Sequence, residues 1–276
     1  MFPTGVHLLD KVLGGGLPNG LVEVCGPASL GKTLLAFSLF RESSRRGQRV
    51  LYASSEDVVD DRVLSSYAPE AVYLEATHAE ALFEAIYEAI DGFDVVCIDS
   101  LNPLLPLIEV GTPVGQRYPN AQQRLMYHCL RRLRTRLDNK LLLVISQPRH
   151  DLVGKRPKSP YLKHLKNVLD LSLKVRQLKS LTEYGKTVYR KLEYSVVWSP
   201  RIPPGTKADG YLFTPEGFNP PLELFRRLEN EKIVERRGAY WKGDGITLGP
   251  GRLTAAAQIC EEIEFYEQLV NISTEE

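Results

Sequence analysis

The sequence predicts an α/β fold in which a mostly parallel, twisted sheet is flanked by helices. Short apolar runs rich in β-branched residues alternate with longer stretches of helical period through the first two thirds of the chain. The spacing between successive runs leaves room for the helical crossovers that parallel strands require. The composition, 43% hydrophobic and 25% charged over 276 residues, is that of a globular chain able to bury a core.

The elements follow one another in the order that such a fold requires. Core strands are predicted from the apolar runs at residues 21–26, 49–55, 94–100 and 141–147. Helices are predicted between them at residues 32–45, 79–91 and 120–137. Hairpin strands that extend the sheet in antiparallel fashion are predicted at residues 169–178, 186–199 and 210–214. We divide the chain into a core over residues 1–215 and a small C-terminal helical and turn segment over residues 216–276.

The net charge of +1 conceals two regions of opposite charge. Residues 149–208 hold fourteen Lys or Arg against four Asp or Glu, whereas the tail at residues 255–276 holds six Glu and no basic residue. Composition alone favours a solvated surface for both regions, although the basic one could also face a polyanion.

The four cysteines are far apart and form no CxxC pair, so reduced thiols are expected rather than disulfides or a metal site. No apolar run approaches the length of a membrane span, and the N-terminus lacks the charged-then-apolar order of a signal peptide. We therefore expect a cytoplasmic protein with no membrane partner.

Residues 26–33 match the phosphate-binding pattern G-x-x-x-x-G-K-[ST] between a predicted strand and a predicted helix. The glycines let backbone N–H groups turn inward around phosphate oxygens at a helix N-terminus, where the helix dipole favours an anion. Lys32 is expected to reach the β and γ phosphates, and the Thr33 hydroxyl is expected to ligate Mg²⁺. The predicted nucleotide-binding residues of this P-loop are Gly26, Pro27, Ala28, Ser29, Leu30, Gly31, Lys32, Thr33 and Leu34.

Polar residues at the ends of the other core strands complete a predicted hydrolysis site. Asp99 emerges at the end of FDVVCIDS and is the predicted second Mg²⁺ ligand, because ligands bind at the carboxyl edge of an open parallel sheet. Glu56 is the first acid after its strand and is the predicted general base, with Asp57 as the alternative. Gln147 ends LLLVISQ and is predicted to sense the γ-phosphate.

Two stretches fit neither a helix nor a strand. Residues 104–122 contain three prolines and two glycines, and residues 148–166 contain three prolines and six Lys or Arg against one Asp. Loops of this length inside a compact domain are usually functional or disordered. Both follow core strands immediately.

Taken together, these residues resemble the RecA recombinase family, which includes phage recombinases of the UvsX type. The segments that carry the resemblance are TGVHLLDKVLGGGLPNGLVEVCGPASLGKT, YASSEDVVDD, CIDSLNPLLP, VISQPRH and EKIVERRGAYWKGDGITLGPGR. They run from about Thr4 to about Glu262. The resemblance implies a RecA-like P-loop NTPase core with a small C-terminal segment, and a DNA-dependent ATPase that uses ATP and Mg²⁺.

The resemblance also implies roles for further residues. Asp60 corresponds to a residue that contacts adenine, and Glu56 to the catalytic glutamate. Arg201 and Ser199 stand where the family has two lysines that complete the ATP site of a neighbouring subunit, so Arg201 is the implied trans-acting residue. The two long loops occupy the positions of DNA-binding loops. In the family, the Lys and Arg side chains of these loops neutralise DNA phosphates, and aromatic side chains stack on the nucleobases. The implied DNA-binding residues are Arg117, Tyr118, Arg149, Lys155, Arg156, Lys158, Tyr161 and Lys163.

The function implied by the resemblance is that of an ATP-dependent recombinase. Such a protein promotes homologous pairing and strand exchange through a filament on single-stranded DNA, with ATP hydrolysed between subunits. Implied partners are single-stranded DNA, homologous duplex DNA, further copies of the chain in a filament or ring, and single-strand-binding or mediator proteins. An accessory RecA-like ATPase that mediates or regulates recombination, and a hexameric motor of the replicative-helicase type, are the alternatives.

The start of the chain departs from the family pattern. RecA-type proteins carry an N-terminal helix and strand that drive polymerisation, and this sequence begins three residues before Thr4. We therefore expect filaments through the ATP interface alone, filaments through a different contact, or no long filaments.

Overall fold

A computed structural model describes residues 1–55, 61–76, 78–111, 113, 118, 120–148, 159, 161, 165–183, 186–213, 217–218, 220–243, 246–250 and 252–261. Helices pack on both faces of a large sheet whose central strands are parallel and whose later strands are antiparallel. The predicted fold class is therefore confirmed, including the antiparallel strands added to a mostly parallel sheet.

The helices of the described residues are α1 (His7–Val12), α2 (Lys32–Ser44), α3 (Asp61–Tyr67), α4 (Ala79–Ala89), α5 (Leu107–Val110), α6 (Ala121–Arg134), α7 (Pro220–Asn230) and α8 (Arg252–Glu261). A 3-10 turn, Ile90–Gly92, continues α4. The strands are β1 (Gly20–Cys25), β2 (Val50–Ser54), β3 (Val72–Glu75), β4 (Val95–Asp99), β5 (Leu141–Ser146), β6 (Leu171–Glu183), β7 (Lys186–Trp198), β8 (Lys207–Phe213), β9 (Gly217–Phe218), β10 (Val234–Arg237), β11 (Tyr240–Gly243) and β12 (Ile246–Pro250).

The large sheet has the strand order β3-β2-β4-β5-β1-β6-β7-β8-β9 in the described part of the chain. Pairing is parallel from β3 to β6 and antiparallel from β6 to β9. The four predicted core strands, β1, β2, β4 and β5, lie side by side and are buried along their whole length. Their carboxyl ends therefore meet at one edge, where an open α/β sheet binds its ligands.

The edge strand β3 is absent from the sequence prediction. Val72 and Tyr73 are exposed by 44% and 37%, and the strand reads VYLE without a buried apolar run. It is nevertheless paired in parallel with β2. An edge strand buries little side-chain area, so apolar periodicity gives a weak signal for it.

Two cores enclose the large sheet, one on each face. On one face, α1, α2 and α3 pack through residues such as Leu9, Phe37 and Leu64. On the other face, α4 and α6 pack through residues such as Phe83 and Leu130. Burial of each such side chain contributes about 1.5–3 kcal/mol. Helices covering both faces explain why the central strands read as continuous hydrophobic runs.

The C-terminal elements form a third core. The sheet β10-β11-β12 packs with α7 and α8 around Phe225, Trp241 and Ile259, and Tyr211 of β8 joins the same cluster. The ring of Phe225 meets that of Trp241 edge-on at 5.0 Å between centroids. The division of the chain at residue 215 stays a prediction.

Three of the cysteines agree with the expectation of reduced thiols. Cys25 and Cys97 are buried and free, and Cys129 is half-buried and free. Burial raises the pKa of the Cys25 thiol to about 11, which keeps it protonated. Among the helices of the described ranges, none has the length and hydropathy needed to cross a bilayer.

Candidate nucleotide site

The P-loop lies between the carboxyl end of β1 and the first turn of α2. Ser29 and Gly31 both adopt left-handed backbone conformations, with φ of 59° and 68°. At Gly31 a Cβ would stand 2.5 Å from Leu212 Cδ2, and at Gly26 a Cβ would stand 2.9 Å from the carbonyl oxygen of Val175. Gly26 is therefore favoured by close packing against a backbone atom, and Gly31 by its left-handed conformation, since the end of the Leu212 side chain could shift.

The side chain of Lys32 is fixed against the P-loop. Its side chain is only 7% exposed, and its Nζ donates a hydrogen bond to the carbonyl oxygen of Pro27 at 2.7 Å. The ammonium group is therefore fixed beside the N-terminus of α2, where two positive fields add for a bound anion.

Asp99 is aimed at the P-loop by two hydroxyl groups. Thr33 Oγ1 donates to Asp99 Oδ2 at 2.5 Å, and the Tyr52 hydroxyl donates to the same oxygen at 3.0 Å. Burial, together with the charge of Asp99, holds the pKa of the Tyr52 hydroxyl well above its usual range, so it remains a donor. The carboxylate is 7% exposed and its orientation is set by β2 as well as by α2.

One cleft of about 420 Å³ collects the predicted residues of the P-loop and of two other strand ends. Its lining residues are Ala28, Ser29, Gly31, Lys32, Thr33, Leu34, Asp99, Ser100, Ile145, Gln147, Arg190 and Leu212. The backbone of Gln147 is fixed by Asn102, which accepts from its N–H through Oδ1 at 2.7 Å and donates through Nδ2 to its carbonyl at 3.2 Å.

The donor set of the cleft fits Mg²⁺ shared with a phosphate. Thr33 and Asp99 bring a hydroxyl and a carboxylate oxygen to one point. Among the described residues, no cluster of three or more His, Cys, Asp or Glu side chains could hold a metal ion by itself, so an ion here would also need ligands from phosphate or water. Mg²⁺ is commonly held by one or two carboxylates together with substrate phosphates and water, which this pair suits.

Arg190 is a cleft residue that sequence analysis missed. It lies on β7, and its Nη1 donates to the carbonyl oxygen of Ser29 at 2.7 Å. It sits in a basic hairpin like several other bases, so its residue type gives no signal of this contact. Only the antiparallel extension of the sheet beyond β6 brings β7 to the P-loop.

Sequence comparison identifies the family. The profile of the RecA N-terminal domain matches residues 1–219. The chain belongs to the RecA family. Protein RecA of Thermus thermophilus is 27% identical over 283 aligned residues, which cover 98% of this chain and 83% of that protein. Protein RecA of Ehrlichia canis is 28% identical, covering 93% and 75%, and that of Aquifex pyrophilus is 27% identical, covering 97% and 80%. The resemblance to RecA-family recombinases is confirmed.

Other residues implied by membership in the RecA family lie in part outside the described residues. Glu56, its alternative Asp57 and Asp60 are among these. Arg201 is exposed in the turn after β7, where its backbone N–H donates to Ser199 Oγ at 3.2 Å. A neighbouring molecule could therefore reach its guanidinium. The roles of these residues stay predictions.

Most of the implied RecA-type DNA-binding residues also lie outside the described residues. They are Arg117, Arg149, Lys155, Arg156, Lys158 and Lys163. Tyr118 is half-buried beside a groove of about 320 Å³ that Asn102 and Gln122 also line.

The prediction for Tyr161 is wrong in this conformation. Its side chain is 1% exposed within the core under α4 and α6, and its hydroxyl donates to the carbonyl oxygen of Leu101 at 3.1 Å. A ring enclosed on both faces cannot stack on a base. Tyr161 instead anchors its part of the predicted loop at residues 148–166 to the core.

Proposed function

We propose that this protein is a DNA-dependent ATPase and a recombinase that promotes homologous pairing and strand exchange through a filament on single-stranded DNA. One observation carries the proposal. In a chain of the RecA family, the P-loop, Asp99 and Gln147 line a single cleft at the carboxyl edge of the sheet. A phosphate cradle, a metal-ligand pair and an amide beside them form the basic set for ATP hydrolysis.

In this proposal the P-loop and Lys32 bind the phosphates, and Thr33 and Asp99 would hold Mg²⁺. The ion, when bound, would neutralise charge on the phosphate oxygens. Tyr52 keeps Asp99 oriented by donating to Oδ2. Glu56 would take a proton from the attacking water, and Gln147 would hydrogen-bond the γ-phosphate.

The coupling to DNA depends on assembly. The exposed Arg201 supports a site completed between subunits, since a guanidinium at the surface can reach a neighbour's triphosphate. ATP would then join subunits and create the state with high DNA affinity, and hydrolysis would release the DNA. The basic region that begins after Gln147 would bind the strand through its phosphates.

ATP turnover measured with and without single-stranded DNA, across a titration of the protein, tests the proposal. Strong stimulation with a cooperative dependence on protein concentration is expected, because DNA would assemble sites shared between subunits. Negative-stain microscopy of the same samples should show regular filaments. Turnover that is indifferent to DNA, without filaments, would contradict the proposal and favour an accessory ATPase.

Arg190→Ala is expected to weaken ATP binding about tenfold, with a smaller effect on the rate at saturation. The variant removes the guanidinium that donates to the carbonyl oxygen of Ser29. The left-handed turn of the P-loop at Ser29 therefore loses one hydrogen bond that holds it in place. Titration of a fluorescent ATP analogue measures the change. Arg176→Ala is the control, because it removes an exposed guanidinium that pairs with Glu193 on the same hairpin. Equal affinities of the two variants would refute the role of Arg190.

A further inference from the structure

A buried carboxylate without a role in nucleotide binding lies on the strand that leads into the P-loop. Glu23 is 0% exposed on β1, three residues before Gly26. Burial raises the pKa of its carboxyl group, and three serine hydroxyls oppose that shift by donating hydrogen bonds. A carboxyl group in this position is costly unless it is fully hydrogen-bonded, so its partners indicate what it holds together.

The two oxygens of Glu23 have different partners. Ser146, the last residue of β5, donates to Oε1 at 2.8 Å, and Ser159 donates to the same oxygen. Ser172 on β6 donates to Oε2 at 2.9 Å. Oε1 therefore joins the strand that runs into Gln147 to the first described residue after the basic segment, which we define as residues 149–158.

The chain is also anchored where it leaves the basic segment. Ser159 Oγ accepts from the backbone N–H of Tyr161 at 3.1 Å. The Tyr161 hydroxyl donates to the carbonyl oxygen of Leu101, two residues after Asp99. The exit from the basic segment is thus held by β1 on one side and by the end of β4 on the other.

The entry to the basic segment is anchored at the nucleotide cleft. Gln147 lines the cleft, and its backbone N–H and carbonyl both pair with the side chain of Asn102. Both ends of the basic segment are therefore held at the carboxyl ends of strands that carry the P-loop, Asp99 and Gln147.

We propose that Glu23 is a positioning residue that transmits the nucleotide state of the cleft to the basic segment through its hydrogen bond with Ser159. The inference rests on the proposed function, in which the basic segment binds single-stranded DNA. In this inference, a γ-phosphate that draws Gln147 towards the cleft would also shift its chain neighbour Ser146, the last residue of β5. Ser146 and Ser159 donate to the same oxygen of a carboxylate that is 0% exposed. Displacement of one hydroxyl would therefore change the hydrogen bond that the other one makes.

Ser159→Ala and Ser172→Ala form a matched pair for the test. Each removes one hydroxyl donor to the same carboxylate, but only Ser159 belongs to the exit from the basic segment. The affinity of the full chain for a labelled single-stranded oligonucleotide is measured by fluorescence anisotropy with ADP and with a slowly hydrolysed ATP analogue. The ratio of the Kd measured with ADP to the Kd measured with the ATP analogue reports how strongly the nucleotide controls DNA binding.

We expect the Kd ratio to fall about tenfold in Ser159→Ala and to stay within about twofold of the wild-type ratio in Ser172→Ala. A wild-type ratio in Ser159→Ala, or an equal fall in Ser172→Ala, would overturn the inference and leave Glu23 as a structural core residue. Melting temperatures of both variants identify any loss of folding. Ser146→Ala, which removes the other hydroxyl donor to Oε1, repeats the test if Ser159→Ala does not fold, with the same fall expected and an unchanged ratio overturning the inference.

The wild-type protein separates this inference from the proposed function. If wild-type protein binds the oligonucleotide equally in both nucleotide states, the proposed ATP control of DNA binding has failed, and the inference fails with it. If the wild-type ratio is large and Ser159→Ala preserves it, the proposed function stands and only the role of Glu23 is lost.

Discussion

Lys32→Ala is expected to reduce ATP turnover about 100-fold or more. Lys32 is 7% exposed and fixed at 2.7 Å from the carbonyl oxygen of Pro27, so its ammonium group is already in place before a nucleotide binds. Its removal leaves the phosphate charge without this fixed cation, and an alanine side chain cannot replace it. Steady-state release of phosphate, measured with single-stranded DNA present, reports the loss.

Lys179→Ala is the control for this experiment. Lys179 is exposed on β6 and carries the same charge, but it does not line the nucleotide cleft. Its turnover should equal that of the wild-type protein. Normal turnover in Lys32→Ala, with the melting temperature unchanged, would refute the assignment of the P-loop as the nucleotide site.

Simultaneous replacement of Lys155, Arg156 and Lys158 by Ala is expected to weaken binding of single-stranded DNA and to flatten its salt dependence. Each phosphate contact releases condensed counterions, so log K falls as log salt rises. Loss of three contacts is expected to make this negative slope shallower by about 2. ATP turnover without DNA should be unchanged, because the predicted role of these residues is in DNA binding and not in nucleotide binding. Anisotropy titrations at four or five salt concentrations measure the slope.

The triple variant Arg236→Ala, Arg237→Ala and Lys242→Ala controls for the loss of net charge. These basic side chains are exposed on the small C-terminal sheet. The control should keep the wild-type salt slope. A slope that is unchanged in the first variant, or equally reduced in both, would move the DNA site away from the basic loop.

The P-loop and Asp99 were predictable from the sequence because their chemistry requires particular residue types at fixed local positions. Gly26, Gly31, Lys32 and Thr33 are close neighbours in the chain, and a strand before them and a helix after them are local features as well. Asp99 required one further step, which parallel pairing supplied. Strands β1, β5 and β4 lie side by side with their carboxyl ends at one edge.

The contacts that orient these groups depended on neighbours that sequence spacing does not reveal. Tyr52 is an ordinary strand residue in the sequence, yet its hydroxyl holds Asp99. Arg190 is one base among many in a hairpin, yet it reaches Ser29. The edge strand β3 escaped prediction for the related reason that it buries too little to produce a periodic pattern.

Tyr161 and Glu23 are two residues whose type suggested contact with DNA or solvent, although both are buried. An aromatic residue in a basic loop suggests a partner for bases, but Tyr161 is enclosed in the core. A charged residue in a strand suggests solvent, but Glu23 is buried among three serines. By itself the sequence determined the fold class, the phosphate cradle and the family resemblance, because these depend on local order and periodicity. Only the tertiary structure decided which side chains meet inside the sheet, because register and packing bring together residues more than 100 positions apart, as they do for Glu23 and Ser159.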